Sequence, residues 1–282
     1  MGKIAVAMCS TSGVDYLDNK NEFHILRLTV FFDGHEYVDH IDIKADEFYK
    51  MMLDKPNADI HTSQVSTGQF EDLYERVKNE GYTDLLVITL SSKLSGTYQG
   101  AILAKELVTG LNIAVLDSKS VSYGEALLGL KALELIKQGY DLDSIVKTLE
   151  SYREKLKLYV LVDTLKYLVK NGRLSATAGL LGTLLKIKPL LMIKPDGTLA
   201  PFEKIRTTSK AQKRLIELIT KETQGKQVEL FIVYTTNKDR AEEVRSELQQ
   251  ALGGIDIKLL PLTPVVGAHA GPGTMGIGYV VL

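Results

Sequence analysis

Three short stretches crowd hydroxyl side chains into what read as turns: CSTSG at residues 9–13, HTSQVSTG at 61–68 and LSSKLSGTYQGA at 90–101. Such residues offer a nucleophile, an anion cradle made of hydroxyls and backbone N–H groups, or a simple helix cap. The third stretch follows the apolar run DLLVITL, so it sits where a buried strand hands over to a helix. It is not the G-x-S-x-G elbow of a nucleophilic serine, because no glycine stands two residues before Ser95. Nor does it contain the G-x-x-x-x-G-K-[ST] pattern of a phosphate-binding loop. An anion cradle and a cap both remain, the latter through Ser92 or Ser95, and both use the same helix N-terminus.

Other candidates carry less. His35, Glu36 and His40 in HEYVDH follow a hairpin turn, and histidines five apart on a strand face opposite ways, so they read as a solvated strand face rather than a zinc site. GPGTMG at 271–276 has the form G-x-G-x-x-G but leads into the last strand instead of opening a helix, which excludes the dinucleotide fingerprint. Its glycines still mark tight backbone turning beside His269. Cys9 ends a strand with no histidine base placed near it and reads as a small buried apolar side chain.

The elements that must position these residues alternate between apolar runs and helical patterns, which predicts a parallel sheet flanked by helices. KIAVAM, DLLVITL and NIAVLDS read as strands; TGQFEDLYERVKNEG, LSGTYQGAILAKELV, VSYGEALLGLKALELIKQG and LDSIVKTLESYREK read as helices. LRLTVFF and HEYVDHIDI flank Asp33-Gly34, a two-residue hairpin signal. LKLYVLVD then opens a second half with a strand, the helix TLKYLVKNG and the small-residue helix SATAGLLGTLLKI. A hairpin around Pro195-Asp196-Gly197, a helix from near Ser209, and a strand, helix and strand through IDIKLLPL follow, before a glycine-rich segment and the strand IGYVVL. The expected architecture is α/β in two domains. Residues 1–156 carry a parallel β-sheet with helices on both faces, and residues 157–282 a second α/β domain with a mixed sheet.

On that layout the three hydroxyl-rich turns leave one edge of the parallel sheet, where ligands bind beyond the carboxyl ends of the strands. Hydroxyls with no arginine nearby favour a weakly polar head group, such as one carboxylate, over a triphosphate. SATAGLLGTLLKI either walls a pocket for a long apolar ligand or packs as an ordinary helix on the second sheet.

The totals agree with a soluble globular chain: 282 residues, 45% hydrophobic, 24% charged, net charge −1. No basic excess points to nucleic acid. A single cysteine excludes an internal disulfide and fits a reducing compartment. The N-terminus lacks a secretory pattern, and no run approaches the roughly 20 apolar residues of a membrane span, so a cytoplasmic protein is expected.

With these residues assembled, the chain resembles the DegV family of bacterial lipid-binding proteins. The resemblance covers essentially the whole length and rests on seven motifs in order: STS after the first strand, TSQ before a helix, SSKLSGTYQGA, the LDS strand end, YLVKNGRLS, KPLLMIKPDGTLAPFEKIRT and HAGPGTMGIGYVV. It implies two α/β domains enclosing one long-chain fatty acid between them, with no cofactor and no metal. The carboxylate is expected on Thr62, Ser95 and His269, with Ser63, Ser92, Gly96 and Thr97 adjacent. It also implies a non-enzymatic accessory subunit that presents the acid to a separate kinase subunit for conversion to acyl phosphate, serving phospholipid metabolism with transient membrane-surface contact. Arg206 matches the basic residue expected near that partner's active site, and Arg173 in NGRLS is expected to have a structural or interface role. One departure is visible: the family commonly has aspartate before the serine of the first motif, where this chain has Cys9.

Two rivals follow from the same residues. An acyl hydrolase would use Ser95 with His269 as base, although no acid is placed to orient that histidine. A carrier of another amphipathic ligand would need no kinase partner.

Overall fold

Strand β1 (Ile4–Cys9) shows how both faces of the first sheet come to be covered. Ala5, Ala7 and Cys9 fall into one buried apolar cluster and Val6 and Met8 into another, the alternation a strand imposes. The structure, a computed structural model, describes residues 2–174 and 188–282. After β1 come β2 (His24–Leu26), β3 (Thr29–Phe32), β4 (His35–Val38), α1 (Ala45–Asp54), β5 (Ile60–Ser63), α2 (Thr67–Asn79), β6 (Asp84–Thr89) and α3 (Thr97–Lys105). Then follow β7 (Asn112–Asp117), α4 (Tyr123–Lys137), α5 (Leu142–Arg153), β8 (Leu156–Leu161), α6 (Lys166–Lys170), β9 (Leu190–Ile193) and β10 (Leu199–Glu203). The described chain closes with α7 (Thr208–Thr223), β11 (Val228–Tyr234), α8 (Lys238–Ala251), β12 (Ile257–Pro261), α9 (Pro264–Ala270) and β13 (Met275–Val281).

The first sheet has the order β2-β1-β6-β7 with every pair parallel. Phe70 and Leu73 of α2 and Ala101 of α3 cover one face; Leu127 and Leu128 of α4 and Ile145 of α5 cover the other. Burying each large side chain contributes about 1.5–3 kcal/mol. The second sheet is mixed, with the order β10-β9-β8-β13-β11-β12, and only β11 and β12 pair in parallel. Leu161, Leu190 and Ile232 pack on one face with Leu215 of α7 and Val244 of α8. Leu158, Leu191, Phe231 and Val233 face the other way and join the core that contains Leu127 and Leu128, so the two sheets share one apolar interior. A small antiparallel sheet, β4-β3-β5, completes the strands. Its hairpin turns at Asp33 and Gly34, both at positive φ (49° and 82°), the backbone that matches strand twist in a two-residue loop.

Several elements depart from the sequence reading. HTS is not a turn at the edge of the parallel sheet: Ile60–Ser63 is strand β5, with Thr62 opposite Val30 of β3. Four residues, three of them polar, give too short an alternation to separate a strand from a loop. ADEFYKMMLD forms α1, burying Phe48 and Met52. PVVGAHA forms α9, although two valines and a glycine are poor helix formers; Pro264 at its first turn and burial of Val265 and Ala268 override propensity. His40 also leaves the strand on which it was expected, lying beyond β4 at φ 65°. The expected helix SATAGLLGTLLKI lies outside the described residues.

The hairpin β9–β10 reaches back to the serine loop. Ser91 Oγ donates to the Gly197 carbonyl at 2.8 Å, and Gly197 sits at φ +87°. A β-carbon there would overlap Ser91 Oγ and lie 3.2 Å from Lys119 Cα, so glycine is required both by conformation and by space.

Candidate functional site: a polar-mouthed cavity between the sheets

A cavity of about 400 Å³ opens between the two large sheets, within the size range of small-molecule sites. Its body is apolar, formed by Leu158, Val160, Ile193 and Val233 of the mixed sheet with Leu262 and Val265 near α9. One end is polar and reaches the surface, because Ser63 and Gln64 line it and are exposed. Thr62, Ser95, Arg173 and His269 converge there from four separate segments.

Each of those side chains is held by its own element. Thr62 stands on β5 and makes a 2.8 Å hydrogen bond with His269 Nε2. His269 lies in the last turn of α9. Burial, then the nearby Arg173 charge, hold its imidazole down to about 3, so the ring is neutral at physiological pH. With the proton on Nε2, the ring donates to Thr62 and leaves the threonine's own hydrogen for a ligand. Its Nδ1 is buried without a hydrogen-bond partner among the described residues. Ser95 precedes α3, and its Oγ accepts from the Thr97 backbone N–H at 3.2 Å while lying 2.9 Å from Thr97 Oγ1. It therefore satisfies the first N–H of α3, just before the N-cap Gly96, and lines the cavity at once.

Arg173 changes the electrostatic picture drawn from sequence. No arginine was expected near the hydroxyls, because NGRLS is remote along the chain. The guanidinium nevertheless lines the cavity, donating from Nε to the Leu94 carbonyl at 3.2 Å and from Nη1 to the Asn171 carbonyl at 2.6 Å. It fixes the serine loop and brings a positive charge to the mouth, so an anion bound there is not left without a cation.

The remaining expected residues lie around the site rather than on it. Ser92 does not line the cavity; its backbone N–H donates to Asp117 Oδ1 at 3.2 Å, binding the loop to the end of β7. Gly96 packs against Gln64, whose Oε1 a β-carbon would overlap. Thr97 is wholly buried and bonded to Ser95. Arg206 is exposed at the foot of β10, away from the cavity lining. Of the first motif, Thr11 alone reaches the cavity; Ser10 accepts from the Leu28 N–H and Ser12 donates to the Cys9 carbonyl. Cys9 is fully buried, and burial pushes its thiol well up, so it is no nucleophile. Sequence reasoning missed Ser122 and Asp39. Ser122 lines the cavity before α4. Asp39 is wholly buried and accepts from the Val265 N–H at 3.3 Å, at the start of the helix that carries His269; burial raises its carboxyl to about 7. Among the described residues, no cluster of three His, Cys, Asp or Glu side chains is arranged to hold a metal.

The family model for DegV, described as uncharacterised proteins, matches residues 3–282. This chain belongs to the DegV family. A DegV domain-containing protein of Staphylococcus aureus is 35% identical over 286 residues, covering 99% of this chain and 97% of that one. Among solved structures, the fatty acid binding DegV family protein of Streptococcus agalactiae superposes with a TM-score of 0.92 at 29% identity, covering 100% of both chains. A stearic acid-binding protein of Eubacterium ventriosum gives 0.89 at 26% identity, covering 100% of this chain and 98% of that one. The parallel sheet and separate mixed sheet described above are those of DegV structures. No helix among the described residues is long and apolar enough to cross a membrane.

Proposed function

We propose that this protein binds one long-chain fatty acid in the cavity between an N-terminal unit, residues 1–156, and a C-terminal unit, residues 157–282, with the carboxylate at the mouth. The observation that carries the reading is the division of the cavity: about 400 Å³ in all, with an apolar body that ends at Thr62, Ser95, Arg173 and His269. Burying about sixteen methylenes gains roughly 13 kcal/mol at ~0.8 kcal/mol each, against an association cost of about 4–15 kcal/mol, so the polar groups orient more than they bind. Fatty acid binding by the Streptococcus agalactiae and Eubacterium ventriosum proteins supports the ligand class.

The mouth suits presentation of the acid rather than its cleavage. A hydrolase would need Ser95 paired with a base, yet His269 bonds to Thr62 and its Nδ1 meets no orienting carboxylate among the described residues. An imidazole held down to about 3 is also a poor base. The second part of the proposal is that a partner kinase phosphorylates the exposed carboxylate, with Arg206 on the docking face.

Native mass spectrometry of the purified protein is expected to show a co-purified acid that added stearate displaces. Protein that is empty and ignores fatty acids sinks the reading. Arg206→Ala is expected to leave acid binding intact and to lower acyl phosphate formation by the kinase; unchanged phosphorylation removes the assigned interface.

A further inference from the structure

Two further hydroxyls line the cavity wall. Thr11, beyond the end of β1, and Ser122, before α4, both line it and are almost wholly buried, 2% and 4% exposed. Behind Thr11 lies Glu125, with 0% exposure, whose Oε2 accepts the Thr11 hydroxyl at 2.7 Å. Its other oxygen, Oε1, is buried without a hydrogen-bond partner among the described residues. Ser122 holds φ 58° and ψ −141°, a backbone region that favours glycine. Strain of this kind persists where surrounding structure enforces it, and it concentrates at ligand contacts. Buried polar groups ordinarily find partners, so hydroxyls set against a bare hydrocarbon chain leave bonding capacity unused.

We propose that Thr11 and Ser122, with Glu125 behind them, form a second polar station that takes an oxygen function on the ligand's chain, so that the preferred ligand is a fatty acid carrying a hydroxyl or oxo group. The proposal rests on the acyl-binding reading above and names the substrate class of that same cavity. The roles follow from the geometry. Thr11 gives its proton to Glu125, which leaves the threonine oxygen's lone pairs facing the cavity as acceptors. Ser122 can donate to an oxo group or accept from a hydroxyl. Glu125 is a positioning residue: it touches no ligand and acts by fixing the Thr11 hydroxyl rotor. Burial pushes its carboxyl well above the usual range, the mark of a desolvated site that suits a neutral oxygen rather than a second anion. A hydroxyl set against side chains such as Val160 and Ile193 would lie without a partner. Preference is therefore position-specific, a signature that general tolerance of polar chains lacks.

The test is calorimetric binding of octadecanoic acid and a series of its monohydroxy positional isomers to the wild-type protein, Thr11→Val, Ser122→Ala and Glu125→Gln. In the wild type most isomers are expected about ten-fold or more weaker than the parent acid, with one position restored to parent affinity or better. Thr11→Val and Ser122→Ala should lower the restored isomer by roughly five-fold while the parent changes by less than about two-fold. Glu125→Gln, which keeps an acceptor for Thr11, should retain the favoured position with a smaller margin. The inference is overturned if every isomer is weaker than the parent, or if the favoured position persists unchanged in both hydroxyl-deleted variants. If a variant does not fold, the wild-type series decides alone. Failure of the parent acid itself to bind removes the acyl reading as well, and so is distinguished from failure of the station.

Discussion

Arg173→Met removes the one cation that lines the described cavity mouth while keeping an apolar stem of similar length. A carboxylate held by Thr62 and Ser95 would lie on the order of 6 Å from the guanidinium, where an effective dielectric near 20 gives roughly 3 kcal/mol of attraction. The side chain is only half-buried, so solvent screening brings the net effect to about 2 kcal/mol, a loss of roughly 30-fold in affinity. The same substitution also removes the bond to the Leu94 carbonyl and loosens the serine loop. That second effect falls on any ligand of the cavity, charged or neutral. The assay is therefore a pair of isotherms at neutral pH, one for a fatty acid and one for the alcohol of equal chain length. The acid should lose about 30-fold more than the alcohol. The His269 ring should titrate at higher pH by NMR once the neighbouring positive charge is gone. Equal losses for acid and alcohol would show that Arg173 only braces the loop, and an unchanged acid isotherm would refute the charge argument outright.

Further perturbations test the groups around the mouth. His269 has a folded-state pKa below its unfolded value, so its contribution is present above about 6.5 and lost as pH falls toward 3; urea denaturation from pH 7.5 to 4.5 should show the wild type losing stability relative to His269→Gln. Asp39 has the opposite sign, raised to about 7: its contribution is complete below about 4 and lost as pH rises through 7, so Asp39→Asn should gain on the wild type across that interval. A parallel stability profile for either pair of proteins counts against the corresponding assignment. Gly197→Ala forces a β-carbon onto Ser91 Oγ at φ +87° and should cost about 2–3 kcal/mol in denaturation while weakening acid binding; full stability would mean that the hairpin tip does not dock on the serine loop.

The parallel sheet was legible because its main strands carry long apolar runs, and every residue of DLLVITL but the last belongs to a strand that is buried from Leu85 to Thr89. The Asp33-Gly34 and Pro195-Asp196-Gly197 hairpins were legible because both demand backbone that few residues adopt. β5 and α9 were not, and these position Thr62 and His269. IHTS alternates over too few residues, and PVVGAHA is helical against its propensities, its Gly267 needed because a β-carbon there would overlap the Tyr49 ring. The types of the site residues were thus readable before their supports were.

Arg173 makes the same distinction from the other side. Its motif was visible, but nothing in local sequence says which loop a side chain after α6 will reach. That depends on the way the mixed sheet lies over the parallel one, with Leu158 and Val160 of β8 facing the cavity from one side and Leu28 and Leu90 from the other. The mouth draws on both halves of the sequence: Thr62 and Ser95 come from the first, Arg173 and His269 from the second. The Thr62–His269 bond and the Arg173–Leu94 bond both cross between the halves at the place where the ligand's head group is proposed to sit. A ligand bridging the same four side chains therefore adds to contacts that already hold the halves together, and binding should stabilise the whole chain by RT ln(1 + [L]/Kd), about 2.7 kcal/mol at a hundred-fold excess over Kd. Hydrogen exchange can check this: the protection gained on adding fatty acid should appear at β5 and α9 together. Protection confined to one of them would mean that the head group engages one half alone.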